Sequence, residues 1–148
     1  MKKQPTLRER ALRLLARREY SRAELGRKLA AHAGPEDDLD ALLEDLQRRK
    51  LVSDERYAES RTHALSRKFG AARIAHELRA KGLDKGLAES AAAAARTTEV
   101  DRARAVWLRK FRTAPATREE RARQMRFLQS RGFSFDAIRA VIRGAGED

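Results

Sequence analysis

Part of this chain is written more than once. The segment "REYSRAEL", starting at Arg18, matches "RKFGAARI", starting at Arg67, at an offset of 49. Tyr20 falls on Phe69, Leu25 on Ile74 and Leu29 on Leu78; further on, Leu39, Leu42 and Leu43 fall on Ala88, Ala91 and Ala92. A third copy begins with "RKF" at Arg109 to Phe111, then carries a loop longer by about eight residues. After it, "ELRAKGL" from Glu77 matches "FLQSRGF" from Phe127 at an offset of 50, and Ile138, Val141 and Ile142 occupy the same three columns. The matched columns are mostly apolar residues or glycine, as a reused packing scheme requires. The 148 residues divide into repeats spanning 1–52, 53–97 and 98–148. Units of this size are near the lower limit for an independent core, so each is expected to lean on its neighbours.

Inside each copy the apolar spacing is helical. Leu7, Ala11, Leu14 and Leu15 share one face of a first helix, with Thr6 and Glu9 forming a capping box. Ser21 and Glu24 open a second helix, which turns Leu25 and Leu29 inward. Pro35 suits the first position of a third, with Glu36, Asp37 and Asp38 in its first turn and Leu39, Leu42, Leu43 and Leu46 on its face. A fourth starts at Ser53 and carries Tyr57, Arg61, Ala64 and Leu65 at inner positions. The fifth spans about Gly70 to Lys81, and Gly82 stops it. Asp84 caps an alanine-rich sixth. Val100, Ala103, Trp107 and Phe111 stripe a seventh. Thr117 and Glu120 open an eighth, which ends at Gly132; Ser134 caps the ninth, and "GAGED" reads as a frayed tail. No segment alternates with period two. The expected fold is all-α: three tandem three-helix, helix-turn-helix-like repeats in an elongated, curved array.

Reactive chemistry is sparse. There is no cysteine, which excludes disulfides and thiolate zinc sites and agrees with a cytoplasmic protein. No apolar run approaches the ~20 residues of a membrane span, and "MKKQPTLRER" lacks the apolar core of a secretory signal. His32, His63 and His76 show no metal-ligand spacing. Walker, GxGxxG, GxSxG and SxxK signatures are absent, so no cofactor and no catalytic residue is expected. Glu36, Asp37, Asp38 and Asp40 read as a dipole-matched helix start rather than a metal site. Aromatic residues make up 5% of the chain, too few for serial base stacking.

Charge says more. With 34 Lys and Arg against 22 Asp and Glu, the net charge is +12, which favours an anionic partner, nucleic acid first. An acidic protein surface or an anionic membrane also fits that number. The basic residues recur with the repeat: Arg17, Arg18, Arg22, Arg27 and Lys28 in the first copy; Arg67, Lys68, Arg73, Arg79 and Lys81 in the second; Arg109, Lys110, Arg123, Arg126 and Arg131 in the third. Such an array can follow a polyanion through phosphate contacts, which give salt-dependent affinity without sequence information.

The middle unit, "LVSDERYAESRTHALSRKFGAARIAHELRAKGL", resembles the RecX family of bacterial recombination regulators. Asp54, Arg56, Tyr57 and Ala58 match the family's opening step. Arg67, Gly70, Ile74, Leu78, Lys81 and Gly82 match its middle, and "SRGFSFDAIRAVI" is similar to its closing segment. The resemblance covers essentially the whole chain. It implies a non-enzymatic monomer that lodges along the RecA recombinase filament on DNA and suppresses strand exchange, ATP hydrolysis and co-protease action. It also implies contact with single- and double-stranded DNA regardless of sequence. In that setting the acidic stretch Glu36 to Asp45 is expected to meet basic protein. Two other readings fit the same residues: a helix-turn-helix transcription regulator, and a general nucleic-acid-binding or RNA-associated helical protein. Three copies in one chain speak against the first of these, which places one recognition helix per monomer.

Overall fold

Among the described residues, seven helices start with a side-chain oxygen in place. Thr6, Ser21, Asp38, Ser53, Asp84, Thr117 and Ser134 each accept a hydrogen bond from a backbone N–H of the first turn they precede. The structure, a computed structural model, describes residues 3–146. Among them it contains α1 (Leu7–Leu15), α2 (Arg22–Ala30), α3 (Leu39–Arg48), α4 (Asp54–Leu65), α5 (Ala71–Ala80), α6 (Lys85–Arg96), α7 (Glu99–Lys110), α8 (Arg118–Ser130) and α9 (Phe135–Ala145), with no strand. No helix among them is long and apolar enough to cross a membrane.

Gly82 and Gly132 end α5 and α8 with φ of 87° and 84°. The next amide in each case reaches back to close the helix, Leu83 N–H to the Leu78 carbonyl and Phe133 N–H to that of Leu128. These are the stops the repeat predicts.

Several local expectations change. Pro35 lies in a turn and not in the helix, because Asp38 caps α3. Glu36 and Asp37 therefore precede the helix, Asp37 accepting from the Gly34 amide at 2.7 Å. Arg61, Ala64 and Val100 face outward, while Ala58 and Val106 take inner places. Of "GAGED", Gly144 and Ala145 are helical and Gly146 caps α9; Glu147 and Asp148 lie outside the described residues.

The third copy also registers differently. Ser53 and Thr98 cap α4 and α7, and Ser66 and Phe111 end them, so the offset is 45 at both ends. It is 47 at Gly70 and Thr117, and 50 at Lys81 and Arg131. The extra length is two residues of loop and three of α8, not eight of loop. "RKF" at Arg109 to Phe111 is therefore not the counterpart of Arg67 to Phe69.

The described residues form three cores. Leu25, Leu29, Leu43 and Leu46 centre the first, Ile74, Leu78, Ala88 and Ala92 the second, and Trp107, Leu128, Ile138 and Val141 the third. The closest helix pairs all lie within these groups. The molecule exposes 10038 Å², against about 7,600 Å² for a compact monomer of this mass. That excess marks an elongated molecule whose units meet over small areas.

Candidate polyanion-binding surface

The units are joined by polar contacts, and both joints use the same ones. At the first, the Asp54 carboxylate at the start of α4 accepts from the Arg22 amide at the start of α2, 2.8 Å away. At the second, Glu99 at the start of α7 accepts from the Ala71 amide at the start of α5, 2.7 Å away. In each case the first acid of one unit satisfies an orphan donor of the unit before it. A second contact runs the other way. The Ser21 hydroxyl donates to the Lys81 carbonyl at 2.7 Å, and the Gly70 amide to the Arg131 carbonyl at 2.8 Å. Gly70, whose counterpart is Ser21, is needed for this approach: a Cβ there would lie 2.3 Å from the Gly132 carbonyl oxygen.

The side chains around this shared frame differ in charge. At the first joint Glu24, 8% exposed, holds Arg18 through two bonds of 3.2 and 3.1 Å and Lys81 at 3.5 Å. Arg18 also lies 3.6 Å over the Tyr20 ring. Burial would raise the Glu24 carboxyl, but hydrogen bonding and charge from Arg18, then Lys81, hold it below its ordinary value. Its hydrogen bond raises Arg18 in turn. Glu19 pairs with Arg56 at 3.0 Å. The groove of about 260 Å³ running past these groups is thus largely neutralised from within.

At the second joint the positions of Glu19 and Glu24 are held by Lys68 and Arg73. Arg73 turns to Glu77 on its own helix, to the Ser130 carbonyl and over the Phe69 ring. The corresponding groove, about 290 Å³, is lined by Lys68, Val106, Arg109, Lys110, Phe127 and Arg131. None of these is acidic, and the four cations make no ion pair among the described residues. Arg131 lies over Phe69 and Phe127, and Lys110 over Phe127, at 5.2 to 5.5 Å. Arg109 donates to the Arg67 carbonyl at 3.0 Å. Arg67 and Arg109, paired by sequence as repeat equivalents, are instead neighbours across one joint.

A second basic groove, about 370 Å³, lies between α1 and α2 and gathers Arg10, Arg13, Arg17, Lys28 and His32 around Leu14 and Leu29. The structure thus brings Arg17 and Lys28 together in one place and Lys68, Arg109, Lys110 and Arg131 in another. Arg27, Arg67, Arg79, Arg123 and Arg126 are exposed outside these two clusters. Arg18, Arg22, Arg73 and Lys81 are committed to carboxylates, Arg22 to Glu44 at 2.9 Å. In the acidic stretch, Asp45 is likewise engaged by Arg8, Arg48 and Arg49. Hydrogen bonds from Arg8, then Arg49, hold its carboxyl below the ordinary value.

Three joint residues carry roles that the sequence reading missed: Asp54, Glu99 and Arg102. Arg102 donates to the carbonyls of Ser66, Phe69 and Ala95, closing the C-terminal ends of α4 and α6. Burial lowers its guanidinium, partly offset by Glu99. Only the helix starts at Ser53 and Thr98, aligned at 45, pair Asp54 with Glu99.

The chain matches family descriptions in order along its length: "RecX, first three-helix domain" over residues 8–46, "RecX, second three-helix domain" over 53–91 and "RecX, third three-helix domain" over 97–142. A protein from Leptothrix cholodnii called Regulatory protein RecX is 50% identical over 145 residues, 98% of this chain and 92% of that one. One of the same name from Herminiimonas arsenicoxydans is 44% identical, over 99% of this chain and 97% of that one. The crystal structure of RecX from Lactobacillus salivarius has the same fold, with a TM-score of 0.82 at 23% identity over 95% of this chain and 94% of that one. All three units and their order agree, and the chain belongs to the RecX family.

Proposed function

We propose that this protein regulates the RecA recombinase by binding the RecA–DNA filament as a monomer and inhibiting its recombinase, ATPase and co-protease activities. The observation that supports this most is the agreement, unit by unit over nearly the whole chain, with proteins named regulatory protein RecX. An elongated row of three small units, divided near residues 52 and 97, suits a periodic partner better than a single pocket does. The two basic grooves supply the nucleic-acid side of that contact, without sequence preference. Binding acts by occupying the filament and needs no chemistry of the chain's own.

The test is RecA ATPase on single-stranded DNA with increasing amounts of this protein. Inhibition at well under one molecule per RecA protomer is expected, with no ATPase or nuclease activity from the protein alone. Undiminished RecA turnover at equimolar protein would remove the reading. A titration against scrambled duplexes separates it from a transcription regulator, which would prefer one duplex strongly.

A further inference from the structure

The two joints share one backbone frame but not one charge pattern. The Glu19 and Glu24 carboxylates of the first are replaced by Lys68 and Arg73 at the second. In a structural joint a cation beside Arg131 and Arg109 is unfavourable, since like charges in one groove repel. At the first joint the equivalent crowding of Arg18 and Lys81 is relieved by Glu24. At the second, no carboxylate among the described residues pairs with Lys68, Arg109, Lys110 or Arg131. Their charge is left for a group from outside.

We infer that the groove between the second and third units is a seat for the phosphodiester backbone of a nucleic acid, whereas the first joint is an internally neutralised latch. The inference deepens the nucleic-acid side of the proposed function and rests on it only there.

Three features favour phosphodiester over an acidic peptide. The groove holds roughly ten waters' worth of space, and four cations from three segments of chain converge on it. An extended peptide turns successive side chains to opposite faces, so a groove this small receives about one carboxylate. A phosphodiester chain carries a charge at every residue and meets several cations at once. The cations are also held in advance. The Phe69 and Phe127 rings, 5.5 and 5.2 Å away, hold the Arg131 guanidinium between them, and the Arg67 carbonyl holds Arg109. Cations already lie over both rings, so bases find no free platform and contact stays with the backbone.

The test uses the full chain and a fluorescent thymidine 30-mer, with anisotropy read between about 50 and 200 mM salt and no RecA present. The Arg109→Gln/Lys110→Gln double variant should bind roughly tenfold or more weakly at the low end. Its log–log salt slope should fall by about 1.4, at ~0.7 for each phosphate no longer neutralised. Lys68→Glu restores the carboxylate of the first joint to the second and leaves the Arg109 contact intact. It should weaken binding to a similar degree, so the inference stays testable should the double variant misfold. Lys85→Gln/Arg96→Gln, matched in charge and outside both grooves, should change the affinity no more than about twofold. Groove variants that behave like this control overturn the assignment. So does a polyglutamate of equal charge that binds as tightly as the strand and is lost in the groove variants while DNA binding is kept. RecA inhibition that survives in the groove variants would leave the proposed function standing without this site. Groove-dependent DNA binding without RecA inhibition would do the reverse.

Discussion

Replacing Glu99 by alanine removes a side chain that joins a helix start of the second unit, at Ala71, to one of its own unit, at Ser134. Its carboxylate, on a residue 6% exposed, accepts from the Ala71 amide at 2.7 Å and from the Ser134 amide at 3.3 Å. Both amides open helices, so neither has an intrahelical partner. A hydrogen bond to a charged group contributes about 1.5–3 kcal/mol, and the longer of these two belongs at the weak end. The expected loss is therefore about 3–4 kcal/mol, much of it from coupling between units and not from either core. Glu99→Gln should lose about half, because one oxygen remains for Ala71 while its amide opposes the Ser134 N–H. The assay follows urea unfolding with two probes. Trp107, the single tryptophan, is buried in the third core and bonded to Gln124 at 2.8 Å; its fluorescence reports that unit. Circular dichroism at 222 nm reports all the helices. In the wild-type chain the two transitions should coincide. In Glu99→Ala the Trp107 transition should move down by about 3 M urea, taking a slope near 1 kcal/mol per M for a unit this small, and separate from the helical signal. If the two probes stay coincident and shift by less than about 0.5 M, the joint is not held by this carboxylate.

Gly132→Ala should cost about 2–4 kcal/mol, since its φ of 84° disfavours a side chain and the new Cβ would fall 2.3 Å from that of Arg73. Gly34→Ala, with nothing nearer than 3.6 Å, should stay within about 0.5 kcal/mol; thermal melts of the pair decide. Glu24 has a folded-state pKa below its ordinary value, so its contribution is complete above the unfolded carboxyl value of about 4.3 and is lost as pH falls through the folded one. Glu24→Gln should flatten the fall in melting temperature between roughly pH 5 and 3, and a variant with the wild-type acid profile would refute the latch.

The packing of each unit was open to reading because helical period and glycine stops are local signals. Leu25 and Ile74, or Gly82 and Gly132, announce themselves within a few residues. The joints were not, because an acid in a first helical turn already has a sufficient local reason, the helix dipole. Asp54 and Glu99 look like ordinary first-turn acids until their partners, Arg22 and Ala71, are seen in the preceding unit. The "RKF" recurrence then misdirected the third copy, matching Phe111 to Phe69 where the helix ends set it against Ser66. That register pairs Arg102 with Tyr57, a cation that closes helix ends against a core aromatic, and no composition rule links them. Yet the difference between the joints stood in the first matched strings. "REYSRAEL" and "RKFGAARI" agree where they pack, at Tyr20 and Phe69 and at Leu25 and Ile74, and reverse charge at Glu19 and Lys68 and at Glu24 and Arg73. A repeat keeps the columns that its cores require, and only a column released from that requirement can change sign. The inverted columns are therefore where one unit can acquire a partner that its neighbour lacks.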